Sequence, residues 1–202
     1  MTVTGSNINI IPVLEVLRNA TSQVIGNRSF SSKKEIVKKF GKITVNQCQS
    51  NKIICVAKHI PGHGCAVSDS HFKMPKVYLS YKELDNIDFF PFKYNSAKLA
   101  MTAHILYKKI DSKNVATFSK KIIKKIIRKK IGFKGILMSD DISMKALKYD
   151  LITNAKKSLN AGCNLVLYCA GNVNDNFKLI KSVPYIDEFT AQKTSEIYKI
   201  LR

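Results

Sequence analysis

The chain has 202 residues, 45% of them hydrophobic, enough for one domain with a substantial core, and we expect residues 1–202 to form a single domain. Its 34 Lys and Arg against 14 Asp and Glu leave a charge of +20, but the lysines are spread from Lys33 to Lys199, Trp is absent and the basic runs alternate with paired isoleucines, so the charge reads as solvated faces and argues against a nucleic-acid partner. Five cysteines without a C-x-x-C exclude a disulfide framework or zinc ribbon, and the lack of a leader or a membrane-length apolar run points to a soluble, cytoplasmic chain with no membrane partner.

In chain order, Asn9 to Val16 is a β-branched apolar run whose internal Pro12 places it near a strand end or on an edge. After a loop at Gly26 to Phe30, Ser32 and Glu35 have capping-box spacing and open a helix through Ile36, Val37 and Phe40. Ile53 to Ala57 is a buried strand, and Lys58-His59-Ile60-Pro61-Gly62-His63-Gly64 leaves its C-terminal end. Ser80 to Leu84 suggests a short helix, Phe89 to Phe92 a docking turn, and Leu99 to Tyr107 a third strand. From Ser119 the isoleucines 122, 123, 126, 127 and 131 make one helical stripe and the intervening lysines the opposite, wet face. Ile136 to Met138 is a fourth strand ending in Ser139-Asp140-Asp141. A helix over Asn154 to Ala161 leads through Gly162 to a fifth strand, Asn164 to Cys169, and the tail from Asp187 to Arg202 reads as helix. Near-continuous apolar strands separated by helices predict a parallel α/β sheet, and polar groups at the strands' carboxyl ends favour a (β/α) barrel over a doubly wound sheet.

Three of the four histidines, His59, His63 and His71, fall in one Gly- and Pro-rich stretch, which can hold imidazoles at fixed angles. Asp69 and His71, two apart, suit a dyad in which the carboxylate orients an imidazole for proton transfer; the alternative is a surface turn capped by Asp69. Zinc is a weaker reading, because Pro61 and the glycines forbid the helix that would aim His59 and His63 at one ion, and no metal or other cofactor is expected. Asp140 and Asp141 leave a strand directly, so one can face the barrel mouth as a nucleophile while the other caps the next element; both could equally be caps. Lys58 and Arg28 can bind ligand hydroxyls or an acidic substituent, or serve as structural cations at the mouth. His104 reads as lining or core.

Four blocks carry a family likeness: Lys58 to Gly64 with Asp69-Ser70-His71, Met101 to Tyr107, Gly135 to Met144, and Ser158 to Leu167. In order, from about Ile8 to Cys169, they resemble glycoside hydrolase family 3, in particular its bacterial β-N-acetylglucosaminidases of peptidoglycan recycling. The resemblance implies retaining hydrolysis, with Asp140 as nucleophile, His71 as acid/base, Asp69 as its partner, and Arg28, Lys58 and His59 binding a small carbohydrate substrate. It implies a partial (β/α)8 TIM barrel of about five strand–helix units, because the strand at Asn9 to Val16 matches the family's fourth. A separate N-terminal fragment or self-association would then complete the barrel. Glu15 stands where the family usually has aspartate. A remnant without catalysis that keeps a sugar site is the alternative, and a basic nucleic-acid binder the second.

Overall fold

The computed structural model describes residues 5–19, 21, 25–66 and 74–201. Five strands, β1 (Ile8–Asn9), β2 (Ile54–Ile60), β4 (Leu99–Thr102), β6 (Ile136–Asp141) and β7 (Leu165–Leu167), form an open sheet in the order β1-β2-β4-β6-β7, every neighbouring pair parallel. The parallel α/β sheet expected from the strand pattern is therefore present, and the partial barrel that the resemblance implies takes the form of an open five-stranded sheet. A second sheet pairs β3 (Lys76–Val77) with β5 (Leu106–Tyr107).

The inner strands β2, β4 and β6 are apolar on both sides over most of their length because each side is covered. On one side, Val37 and Val45 of α1 (Lys34–Ser50) and Ile122, Ile123, Ile126 and Ile127 join Cys55, Ala57, Ala100 and Leu137 in the main core. On the other, Ile54, Val56, Leu99, Met101 and Ile136 are covered by Ile197 of α6 (Glu188–Leu201), with Ile200 and Leu201 packed alongside. α6 thus covers the side of the sheet on which the period-two alternation also places Lys58 and Asp140.

Several expected elements differ in detail. Only Ile8–Asn9 of the first strand enters a ladder; beyond Pro12, which lacks an N–H, contact with β2 continues through the bridge Val13 to Lys58, with Leu14 N–H donating to Lys58 O at 2.8 Å. The run Leu99 to Tyr107 is not one strand. It leaves the sheet after Thr102, whose hydroxyl meets that of Thr117, and resumes as β5 in the second sheet. The Ser32 capping box does not form, because the helix starts at Lys34 and Ser32 lies one position too early; Lys33 is the N-cap, without a side-chain bond. A capping box does form between Ser80 and Glu83, at the start of α2 (Tyr81–Asn86). Phe90–Lys93 is a one-turn helix, α3, and the isoleucine helix, Ile122–Lys130, is π-wound with its isoleucines buried as expected. α4 (Leu151–Ala161) is capped by Asp150, whose side chain accepts from Thr153 N–H, and stops at Gly162, φ 118°. α5 (Val173–Ser182) was not expected from the sequence. No helix among the described residues is long and apolar enough to cross a membrane.

Candidate active site

At the carboxyl ends of β2 and β6 lies a cavity of about 220 Å³ lined by Arg28, Lys58, His59, His63 and Asp140. Ile10, Ile25, Met101, Leu167 and Cys169 supply its apolar wall. Larger cavities exist, of about 280 and 410 Å³, but the first lies among Lys98, Gly135 and Ile197 and the second beside Leu165 and Tyr185, away from this cluster of ionisable groups.

Two ladder irregularities aim the polar residues. Between β2 and β4, Lys58 pairs with Met101 and Ile60 with Thr102, so two steps on one strand match one on the other, and consecutive side chains Lys58 and His59 both line the cavity. Between β6 and β7, Met138 pairs with Leu165 and Asp141 with Leu167, which places Asp140 in the slipped stretch. Asp141 is occupied by backbone groups: its carboxylate accepts from Ser143 N–H at 3.0 Å and from Cys169 N–H at 3.1 Å. Asp140 alone of the pair lines the cavity.

Asp140 accepts the Asp141 N–H at 2.8 Å, and its Oδ2 lies 3.8 Å from His59 Nε2. Burial would raise its pKa, but His59, His104, the Asp141 N–H and Lys58 together outweigh burial and hold the carboxyl below the usual carboxylate range. Desolvation and then the nearby Arg28 guanidinium push the Lys58 ammonium down, while Asp140 and Glu15 act the other way. His63, 2% exposed, is pushed down to about 4 by burial and next by His59, whose ring it meets edge-on at 5.8 Å; neither of its ring nitrogens has a hydrogen-bond partner among the described residues. His104 is core: Nε2 donates to Asp141 O at 3.0 Å and Nδ1 accepts from Thr117 Oγ1 at 2.7 Å, bracing the end of β6.

Of the residues singled out by sequence, Arg28, Lys58, His59 and Asp140 therefore share one cavity. Asp69 and His71 lie outside the described residues. The segment leading to them is anchored beside the cavity, with Ala66 N–H bonded to His63 O at 3.0 Å and Thr21 Oγ1 donating to Gly64 O. Sequence reasoning missed the contact between Glu15 and His59, which are 44 positions apart. The signal was a buried-strand carboxylate between Leu14 and Val16, a poor place for a charge without a partner.

The chain matches the description "Glycosyl hydrolase family 3 N terminal domain" over residues 1–197. It is 35% identical over 176 residues to a beta-hexosaminidase of Shewanella frigidimarina, covering 84% of this chain and 51% of that protein. It is 33% identical over 198 residues to one of Nitrosomonas eutropha, covering 96% and 56%. The chain thus spans about half the length of the curated relatives it matches. Among solved structures, NagZ from Neisseria gonorrhoeae in complex with N-trifluoroacetyl-D-glucosamine superposes with a TM-score of 0.86 at 30% identity, over 97% of this chain and 57% of that one. A glycoside hydrolase family 3 beta-N-acetylglucosaminidase from Paenibacillus sp. gives 0.84 at 27%, over 96% and 39%.

Proposed function

This chain belongs to glycoside hydrolase family 3, and from that premise we propose that it supplies the catalytic carboxylate and sugar site of a retaining exo-β-N-acetylglucosaminidase. Its substrates are peptidoglycan-derived muropeptide sugars handled in the cytoplasm. The observation that carries the reading is Asp140, a carboxyl held in its ionised range despite burial and facing a cavity with Lys58, His59 and Arg28 around it.

In this reading Asp140 attacks the anomeric carbon as the bond to the leaving oxygen breaks, and His71, oriented by Asp69, gives that oxygen its proton. His71 then takes a proton from water, which displaces the sugar from Asp140. Lys58, Arg28 and His59 hold the hydroxyls; these are neutral groups, so two cations and an imidazole contribute hydrogen bonds rather than charge pairing. Five strands cannot close an eight-stranded barrel, so turnover requires three further strand–helix units, from a longer chain, a separate fragment or self-association.

Hydrolysis of a chromogenic β-N-acetylglucosaminide, by the chain alone and with a polypeptide supplying the missing units, tests the reading. Activity should fall on the order of 10³-fold or more in Asp140→Asn. No turnover in either form would remove the enzymatic assignment. The open sheet favours one second reading, a sugar site without catalysis, for which N-acetylglucosamine would raise the melting temperature with no turnover.

A further inference from the structure

Behind the cavity wall, and not part of its lining, is a second carboxylate. Glu15 is 0% exposed, held in place because Leu14 N–H donates to Lys58 O at 2.8 Å and Lys58 N–H to Pro12 O at 3.0 Å. Its Oε1 accepts the His59 backbone N–H at 2.5 Å and lies 3.1 Å from Nδ1 of the same residue's ring. One oxygen thus grips both the main chain and the side chain of His59.

That grip decides where the imidazole proton sits. Oε1 already acts as an acceptor toward the backbone, so Nδ1 meets an acceptor and carries a hydrogen; when the ring is neutral that is its only one, and Nε2 is left without it. His63 cannot compete for this role, since it touches His59 only through its ring edge. On the far side, Nε2 stands 3.8 Å from Asp140 Oδ2, too far for a direct hydrogen bond, with the cavity beside both. The other Glu15 oxygen, Oε2, is buried without a hydrogen-bond partner among the described residues. An orphaned buried oxygen is destabilising, and an apolar side chain would fill the same space without it, so packing alone does not account for a carboxylate here.

We infer that Glu15 is the positioning residue of the site, fixing His59 as the Nδ1–H tautomer so that Nε2, next to Asp140, is the ring nitrogen presented to a ligand hydroxyl. The identity of the ligand rests on the proposed function; the tautomer does not. The Nδ1–H form is the less common one for a free histidine side chain, so it is a specific signature rather than a default.

The test uses the full chain labelled with ¹⁵N-histidine, above neutral pH, with ring nitrogens correlated to carbon-bound ring protons by NMR and His59 assigned by its loss in His59→Gln. The expected result is a protonated Nδ1 and unprotonated Nε2 at His59, switching to the Nε2–H form in Glu15→Leu. Wild-type His59 in the Nε2–H form or protonated on both nitrogens, or an unchanged Nδ1–H form in Glu15→Leu, would overturn the inference. Should the leucine variant fail to fold, the wild-type spectrum decides by itself. A correct tautomer without sugar hydrolysis would sink the enzymatic reading and leave this one standing.

Discussion

His63 is the residue through which burial is most directly measurable. With its folded pKa near 4 against an ordinary value of 6.5, it stays neutral in the fold while the unfolded chain takes up a proton, so the unfolded state binds more protons between those values. Stability is therefore full above about 6.5 and declines as pH falls toward 4, by about 3 kcal/mol over the window. Asp140, whose pKa is lowered, adds loss in the same direction, but at the lower pH where carboxylates titrate. Denaturant unfolding across this range should show the slope in wild type and a flattened one in His63→Gln; equal slopes in the two proteins would show that His63 is not the group responsible.

Among the elements, helix starts give the sharpest contrast. Ser80 accepts the Glu83 N–H while Glu83 returns the bond to Ser80 N–H at 2.7 Å, whereas Ser32 caps nothing. Ser80→Ala should lower stability by about 1 kcal/mol and Ser32→Ala by less than about 0.5 kcal/mol in thermal or denaturant melts. Sequence spacing is identical for the two pairs; only the position of the first helical turn, which begins at Lys34 and makes Lys33 the N-cap, separates them. The same physics marks what was readable elsewhere. Strands covered on both faces write themselves as apolar runs, and Lys58, His59 and Asp140 fall at the ends of two of them, so the architecture and these three cavity-lining residues could be located from the sequence. α5 could not: Val173, Phe177 and Ile180 have helical spacing, but they face outward at 60% exposure or more, amid asparagines that read as loop. The Glu15 contact was hidden for a different reason, since a pairing across 44 positions exists only once β1 and β2 are side by side.

At the scale of the molecule, an open sheet must still bury its second face, and here a helix does so. Deleting residues 184–202 should uncover Ile54, Val56, Leu99 and Ile136 and remove Ile197, a loss of roughly 1.5–3 kcal/mol for each large side chain newly exposed. Raised fluorescence of a hydrophobic dye and a broadened or absent melting transition are expected, and an unchanged melt would show that α6 is not what covers that face. The bracing of Asp140 has a consequence in time. The neighbouring Asp141 is held by His104 through its carbonyl and by the Cys169 N–H through its carboxylate. During synthesis from the N-terminus, every cavity-lining residue up to Asp140 is made before the strand that steadies it. A nascent chain that ends short of Cys169 already holds Arg28, Lys58, His59 and Asp140, but it lacks the last fixed point from which that carboxylate is aimed.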